Sequence, residues 1–229
     1  MIIRVIIPAH NEELSIGKVI QEIPKDLVKE VIVCNNNSSD QTEKEANSAG
    51  ATVLNEPLMG YGYACLRGIR YINQNYPETE IVVFLDGDYS DYPEQMIDVV
   101  RPILEEDMDL VIGSRALGNQ EEGSMTFPQR FGNWLSGKLL KWIYKANFTD
   151  LGPFRAIKLS SLNKIQMQDK TYGWTVEMQV KLAQHKMKFC EVPVDYKKRI
   201  GVSKVSGTVK GAFMAGIKIL YTIMKYARK

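Results

Sequence analysis

Two carboxylates, Asp86 and Asp88, follow directly on a short apolar run, Ile81-Val-Val-Phe-Leu85, with only Gly87 between them. The run is rich in β-branched residues and reads as a buried strand. Acids projecting from the carboxyl end of a strand suit a hard divalent cation, which takes oxygen ligands. In a chain that alternates strands and helices, that edge of the sheet is where open α/β folds bind ligands. The expectation is a divalent metal held on a nucleotide diphosphate; the plain alternative is a turn closed by two acids. Asp91, three residues on, would be a further ligand or the cap of the helix that begins near Pro93.

Three more polar clusters follow predicted strands. The run Ile2–Ile7 leads into Pro8-Ala9-His10-Asn11-Glu12, Glu30–Cys34 into Asn35-Asn36-Asn37-Ser38-Ser39-Asp40, and Asp109–Gly113 into Ser114-Arg115. Asn11 sits where an N-cap would, with Glu12 and Glu13 in the first turn and Leu14, Val19, Ile20 and Ile23 as the apolar face. Ser38 or Ser39 would cap the next helix, which Gly50 ends. A third strand spans Ala51–Leu54, and a helix follows the Gly60/Gly62 loop to Asn75. Pro93 opens another helix, with Met96, Val99, Val100, Ile103 and Leu104 inward. This rhythm predicts an α/β fold with a mostly parallel, Rossmann-like sheet flanked by helices. Such a sheet brings its strand ends to one edge, so the four clusters converge on one crevice.

The second half is less regular. Residues 116–128 read as a loop able to fold over a ligand, followed by a helix to Lys145. Asp150-Leu-Gly-Pro-Phe-Arg155 enters a short strand, and Trp174–Lys186 is an amphipathic helix. Lys188–Asp195 is strand-like, with Pro193 marking a sheet edge, and a basic loop, Tyr196–Lys204, follows. Residues 1–206 are taken as one domain and 207–229 as a basic amphipathic helix. On that helix Lys210, Lys218, Lys225, Arg228 and Lys229 fall within roughly 100° of arc, opposite Val209, Phe213, Ile217, Leu220, Ile223 and Met224. It would pack on its own domain or on a subunit partner, or lie on an anionic membrane surface.

Bulk properties narrow the field. A chain of 229 residues fits one large α/β domain, and a net charge of +2 argues against nucleic acid as partner. Cys34, Cys65 and Cys190 are odd in number and widely spaced, giving neither a metal pattern nor a disulfide framework, so a reducing cytosol is expected. The N-terminal apolar run is broken by Arg4 and stopped by Pro8, which makes it a strand and not a signal peptide. No uncharged apolar run approaches the roughly 20 residues a membrane span needs.

The ordered set of motifs resembles the family-2 glycosyltransferases with a GT-A fold, and within them the dolichol- or polyprenyl-phosphate mannose and glucose synthases. The matching stretches are Ile6–Glu12, Asn35–Asp40, Gly60–Ala64, Leu85–Asp88 with Pro93-Glu94, Gly113–Arg115, Asp150–Arg155, and Glu191-Val-Pro-Val with Arg199–Lys204. The resemblance implies inverting transfer of a hexose from a UDP- or GDP-sugar to a polyprenyl phosphate, with Mg²⁺ or Mn²⁺, at the inner face of a membrane. The alternatives are the same transfer to a soluble hydroxyl acceptor, or a nucleotide-sugar binding protein without catalysis.

By that resemblance Asp88 would hold the metal and Asp86 the ribose or the metal. Pro8, Ala9, Asn11, Glu12, Asn35 and Asn36 would cradle the nucleoside, and Gly60 and Gly62 would let backbone approach the ligand. Arg199 and Lys204 would grip the donor diphosphate, while Arg115 and Arg155 would face the acceptor phosphate. For any one of these cations a solvated surface charge is the simpler reading. Asp150 would be a general base, a group orienting Arg155, or structural. Trp174 would stack on a sugar, line a lipid path or sit in the core, with Glu177 near the acceptor. His10 and His185 have no partner at metal spacing, and His185 reads as surface.

Overall fold

The structure is a computed structural model that describes residues 1–201 and 209–227. The elements in chain order are β1 (Ile3–Ala9), α1 (Ile16–Glu22), β2 (Glu30–Asn35), α2 (Thr42–Ser48), β3 (Thr52–Asn55), α3 (Tyr61–Asn75), β4 (Ile81–Phe84), α4 (Met96–Glu105), β5 (Leu110–Ser114), α5 (Phe127–Tyr144), β6 (Arg155–Lys158), α6 (Leu159–Ile165), α7 (Trp174–Gln184), β7 (Phe189–Pro193) and α8 (Val209–Ala227). A 3₁₀ turn at Pro93–Gln95 leads into α4.

The strands make one seven-stranded sheet in the order β3-β2-β1-β4-β6-β5-β7. Every pairing is parallel except those of β6, which runs against β4 and β5. β1 is buried along its whole length, as expected of a central strand covered on both faces. Its side chains alternate between two cores. Ile6 packs with Ile32, Phe84, Ile72 of α3 and Trp174 of α7. Ile3, Val5 and Ile7 pack with Val83 and with residues of α1 and α4. β7 is an edge strand, where Pro193 costs no ladder bond.

Local expectations were overturned at four places. Asn11 is not an N-cap: its φ is 54°, and its Oδ1 accepts from the Ser39 amide at 2.8 Å, tying the end of β1 to the loop after β2. The α1 helix starts later, after Ser15, so Leu14 stays exposed. Neither Ser38 nor Ser39 caps α2; Asp40 instead accepts from the Thr42 amide at 3.0 Å. Leu104 is exposed, because α4 turns that position away from the sheet. Gly50 does end the α2 region, with φ at 93°.

The amphipathicity of α8 also differs from the helical-wheel expectation. Thr222, Ile223 and Tyr226 face inward, whereas Ile217, Leu220 and Met224 lie exposed. Tertiary partners set this rotation. Lys218 reaches Asp169 at 2.9 Å, the Tyr144 hydroxyl donates to the Ile223 carbonyl, and Gln184 donates to the Tyr226 carbonyl.

Candidate active site

A cavity of about 570 Å³ opens at the carboxyl edge of the parallel strands. The ends of β1, β2, β4 and β5 bring Pro8, Ala9, His10, Glu12, Asn36, Asp86, Gly87, Asp88 and Arg115 to its wall. The opposite wall comes from the start of α3, one side of α5, the loop before α7, and Ala215, Gly216 and Ile219 of α8. Tyr196 and Arg199 close it from the basic loop.

The acidic group is held from two directions. Asp88 Oδ1 accepts from the Ser90 amide at 3.0 Å and from its hydroxyl at 2.5 Å. Asp88 Oδ2 meets Arg199 Nη1 at 2.7 Å. The basic loop is stitched to this segment by backbone bonds from Lys197 to Ser90 and from Ile200 to Asp88. Asp86 Oδ1 and both oxygens of Asp91 are buried with no hydrogen-bond partner among the described residues. Burial, reinforced by Asp88 and Asp91, holds the Asp86 carboxyl well above the usual carboxylate range. Burial likewise pushes Asp91 up to about 7, against the opposing pull of Arg115.

Buried carboxylate oxygens without donors are what a hard cation would satisfy; Asp86 and Asp91 carry them, and Asp88 would join them only by releasing Arg199 from its Oδ2. Among the described residues no cluster of three or more His, Cys, Asp or Glu forms a complete ligand set.

The second half of the cavity is built around Arg115. Its Nε and backbone amide donate to Asp150 Oδ2 at 2.7 and 2.9 Å, and its Nη2 donates to Oδ1 at 2.7 Å. Asn133 of α5 donates to the same Oδ1 at 2.5 Å. Glu191 of β7 accepts from the backbone amides of Thr149 and Asp150 and so fixes the segment. Both oxygens of Asp150 thus carry two donors each, and Arg115 leads the groups that hold its carboxyl below the usual range despite complete burial. Arg115 stays charged beside this carboxylate, which lifts it above the ordinary guanidinium value although burial works the other way. Its Nη1 makes no hydrogen bond among the described residues and is the donor left for a ligand.

Several expected site residues have other partners. Arg155 does not line the cavity; it is fully buried, donating to the carbonyls of Gly152 and Thr175. Burial lowers it to about 10, against the opposing pull of Tyr61 and Asp150. Asp150 orients Arg115 and not Arg155. Asn36 lines the cavity, but its amide is fully used, donating to the Glu56 and Leu58 carbonyls and accepting from the Gly60 amide. Asn35 bonds Asn55 and the Ser38 amide. Gly60 and Gly62 do serve a close backbone approach, but the approaching backbone is the protein's own. A Cβ at Gly62 would stand 2.1 Å from the Asp169 carbonyl oxygen, and one at Gly60 2.2 Å from that of Lys170.

Glu177 is fully buried and structural, accepting from the Gln168 and Asp169 amides and the Tyr226 hydroxyl and pairing with Lys181. Trp174 is a core residue, edge-on to Phe84. His10 bonds the Asn36 carbonyl, and His185 is exposed at the end of α7. Lys204 lies outside the described residues.

Residues 4–166 match the sequence model described as Glycosyl transferase family 2. The chain belongs to this family. It is 30% identical to an uncharacterized glycosyltransferase of Mycobacterium tuberculosis over 220 residues, covering 93% of this chain and 94% of the relative. It is 27% identical over 212 residues to a dolichyl-phosphate hexose transferase of Haloferax volcanii, covering 91% and 88%. It is 27% identical over 228 residues to an undecaprenyl-phosphate mannosyltransferase of Micrococcus luteus, covering 93% and 90%. Among solved structures, glucosyl-3-phosphoglycerate synthase from Mycobacterium tuberculosis with Mn²⁺, UDP and glucosyl-3-phosphoglycerate superimposes with a TM-score of 0.77. That match has 21% identity over 99% of this chain and 80% of the other. The fold is accordingly that of the GT-A glycosyltransferases, and this family-2 member is an enzyme of that class.

Within this family-2 site, three residues had no readable signal in the sequence. Asn133 is a polar residue with no motif around it, and it reaches Asp150 across 17 positions. Tyr196 lies 4.9 Å from Arg115, ring centroid to guanidinium. Ile219 reaches the cavity from the far end of the chain. Only the fold brings these partners together.

Proposed function

We propose that this family-2 enzyme transfers a hexose, with inversion, from a UDP- or GDP-sugar to a polyprenyl phosphate at a membrane surface. The observation that carries the acceptor class is the state of Asp150. A hydroxyl acceptor needs a free carboxylate to take its proton. Asp150, the acid that holds Arg115, has both oxygens engaged by Arg115 and Asn133. A phosphate acceptor is already an anion and needs positioning and neutralisation. Arg115 Nη1 supplies that, and the apolar residues Pro128, Leu151, Pro153, Trp174 and Ile219 share the wall with Gln129, Asn133 and Thr175, which suits a phosphate head carrying a hydrocarbon chain. The names of the Haloferax and Micrococcus relatives support the same acceptor class.

The donor lies at the strand ends, with the nucleoside against Pro8, Ala9 and Glu12. Asp88 and Asp86 would hold Mg²⁺ or Mn²⁺, which neutralises charge on the departing nucleotide. The acceptor phosphate oxygen forms a bond to the anomeric carbon as the bond to the donor diphosphate breaks, and the electron pair leaves on the diphosphate. Arg199, exchanged from Asp88, meets that charge. No proton has to be moved.

The test is direct. Purified protein with Mn²⁺ or Mg²⁺ is offered UDP- and GDP-hexoses with farnesyl phosphate, and in a parallel arm with 3-phosphoglycerate. A farnesyl phosphosugar product supports the proposal. Transfer only to 3-phosphoglycerate, or to neither, overturns it.

A further inference from the structure

The α5 helix carries a surface that the fold leaves uncovered. Phe127 and Trp142 are 79% and 73% exposed, and Phe131 and Trp134 also stand in solvent. At 100° per residue these four fall within about 120° of arc, interleaved with exposed Arg130, Lys138 and Lys141. Four large aromatics on one exposed helix face are unusual on a folded surface and mark an interaction site. The charge on that face has a single sign. From Gly123 to Thr149 the chain holds no Asp or Glu. The neighbouring α8, which bonds α5 through Tyr144, exposes Met214, Ile217, Tyr221 and Met224, and the chain has no acid from Tyr196 to Lys229.

We infer that the outer face of α5 seats the enzyme on a bilayer containing anionic phospholipid. Aromatic rings and long basic side chains on one face match the headgroup boundary, where rings enter the acyl region and cationic heads reach the phosphates. A second copy of the chain fits less well. A two-fold contact would set the same patch against itself, bringing Arg130, Lys138 and Lys141 of both copies together with no acid to pair them. The opposite face of α5 lines the cavity with Gln129, Gly132 and Asn133, and Asn133 holds Asp150 and through it Arg115. A bilayer on the outer face therefore lies one helix thickness from the acceptor half. The inference deepens the membrane placement in the proposed function, on which it rests, by naming α5 as the face that meets the bilayer, and it is tested apart from the choice of acceptor.

The chain has three tryptophans, and Trp174 is buried, so a lipid-dependent change in emission reports Trp134 and Trp142. The full-length protein is titrated with vesicles of phosphatidylcholine alone and of phosphatidylcholine mixed with phosphatidylglycerol. Expected are a blue shift and co-sedimentation with the mixed vesicles, weakening as salt rises. The double variant Phe131→Ser, Trp134→Ser should lower partitioning at least ~10-fold while Tm and donor binding stay unchanged. Replacing Arg130, Lys138 and Lys141 by Gln should abolish the preference for phosphatidylglycerol. Absence of vesicle binding by the wild-type protein overturns the inference, as does binding that either variant leaves intact. So does a solution dimer that the aromatic variant dissociates. Transfer to farnesyl phosphate without vesicles is scored separately and bears only on the proposed reaction.

Discussion

Arg199 Nη1 lies 2.7 Å from Asp88 Oδ2, so the residue suited to a diphosphate is paired with a carboxylate suited to a metal. Burial opposes the charge on Arg199, and Asp88 is the chief group that raises it above the ordinary guanidinium value. Metal and donor would have to separate this pair, giving Asp88 to the ion and Arg199 to the phosphates. Site assembly and donor binding would then be one event.

A substitution with opposite effects on two ligands follows. Arg199→Ala should bind Mn²⁺ several-fold more tightly in the absence of nucleotide, because a competing cation is gone. It should bind UDP or GDP with Mn²⁺ roughly 10- to 100-fold more weakly, the loss of a hydrogen bond between charged groups. Titration calorimetry with metal alone and with metal plus nucleotide reads both. Parallel changes in the two affinities would refute the exchange.

The Arg115–Asp150 pair should behave as one unit. Breaking a buried pair leaves an unpaired charge, so Asp150→Asn should cost about 3–5 kcal/mol of stability. Asp150→Asn, Arg115→Met and the double variant should lose similar turnover, since each removes the same oriented guanidinium. A base role for Asp150 predicts instead that Asp150→Asn is far worse than Arg115→Met.

Asp91 makes stability fall with pH. Its carboxyl is pushed up to about 7 by burial, so between the unfolded value and 7 the folded state holds the extra proton. Its stabilising share is complete at low pH and is lost as pH rises through 7. Without metal, the advantage of Asp91→Asn over wild type should grow by about 2 kcal/mol between pH 5 and 7. Thermal melts across that range check this, and a constant difference would contradict it.

Arg155 should matter for folding and not for ligands. Lysine cannot reproduce the fork that spans the Gly152 and Thr175 carbonyls. Arg155→Lys should lower Tm by several degrees, for a loss of about 1–3 kcal/mol. Donor affinity and acceptor KM should be unchanged in the folded fraction. A raised acceptor KM with an unchanged Tm would restore the contact with acceptor phosphate.

Gly62 should tolerate no side chain. Gly62→Ala drives a Cβ into the Asp169 carbonyl, which is backbone on a loop also held by Lys218 and Glu177. Overpacking of this kind costs about 1–3 kcal/mol. Melting should reveal it, and an unaltered Tm would show that the loop yields freely.

The sequence by itself determined the alternating elements, the parallel sheet and the strand ends at which Asp86, Asp88, Glu12 and Arg115 gather. Those features follow from local periodicity and from the rule that parallel strands point one way. It could not assign partners. Asn11 and Asn36 look like cap and base reader, yet each closes a loop, because a neighbouring amide lies within reach only after folding. Arg115 and Arg155 look alike in the chain. Tertiary structure gave one a carboxylate and a cavity, and the other two carbonyls and complete burial. The rotation of α8 was likewise decided by packing, through Lys218 on Asp169 and Tyr226 on Glu177. Side-chain type sets what a residue can bond, but long-range geometry decides which bond it makes.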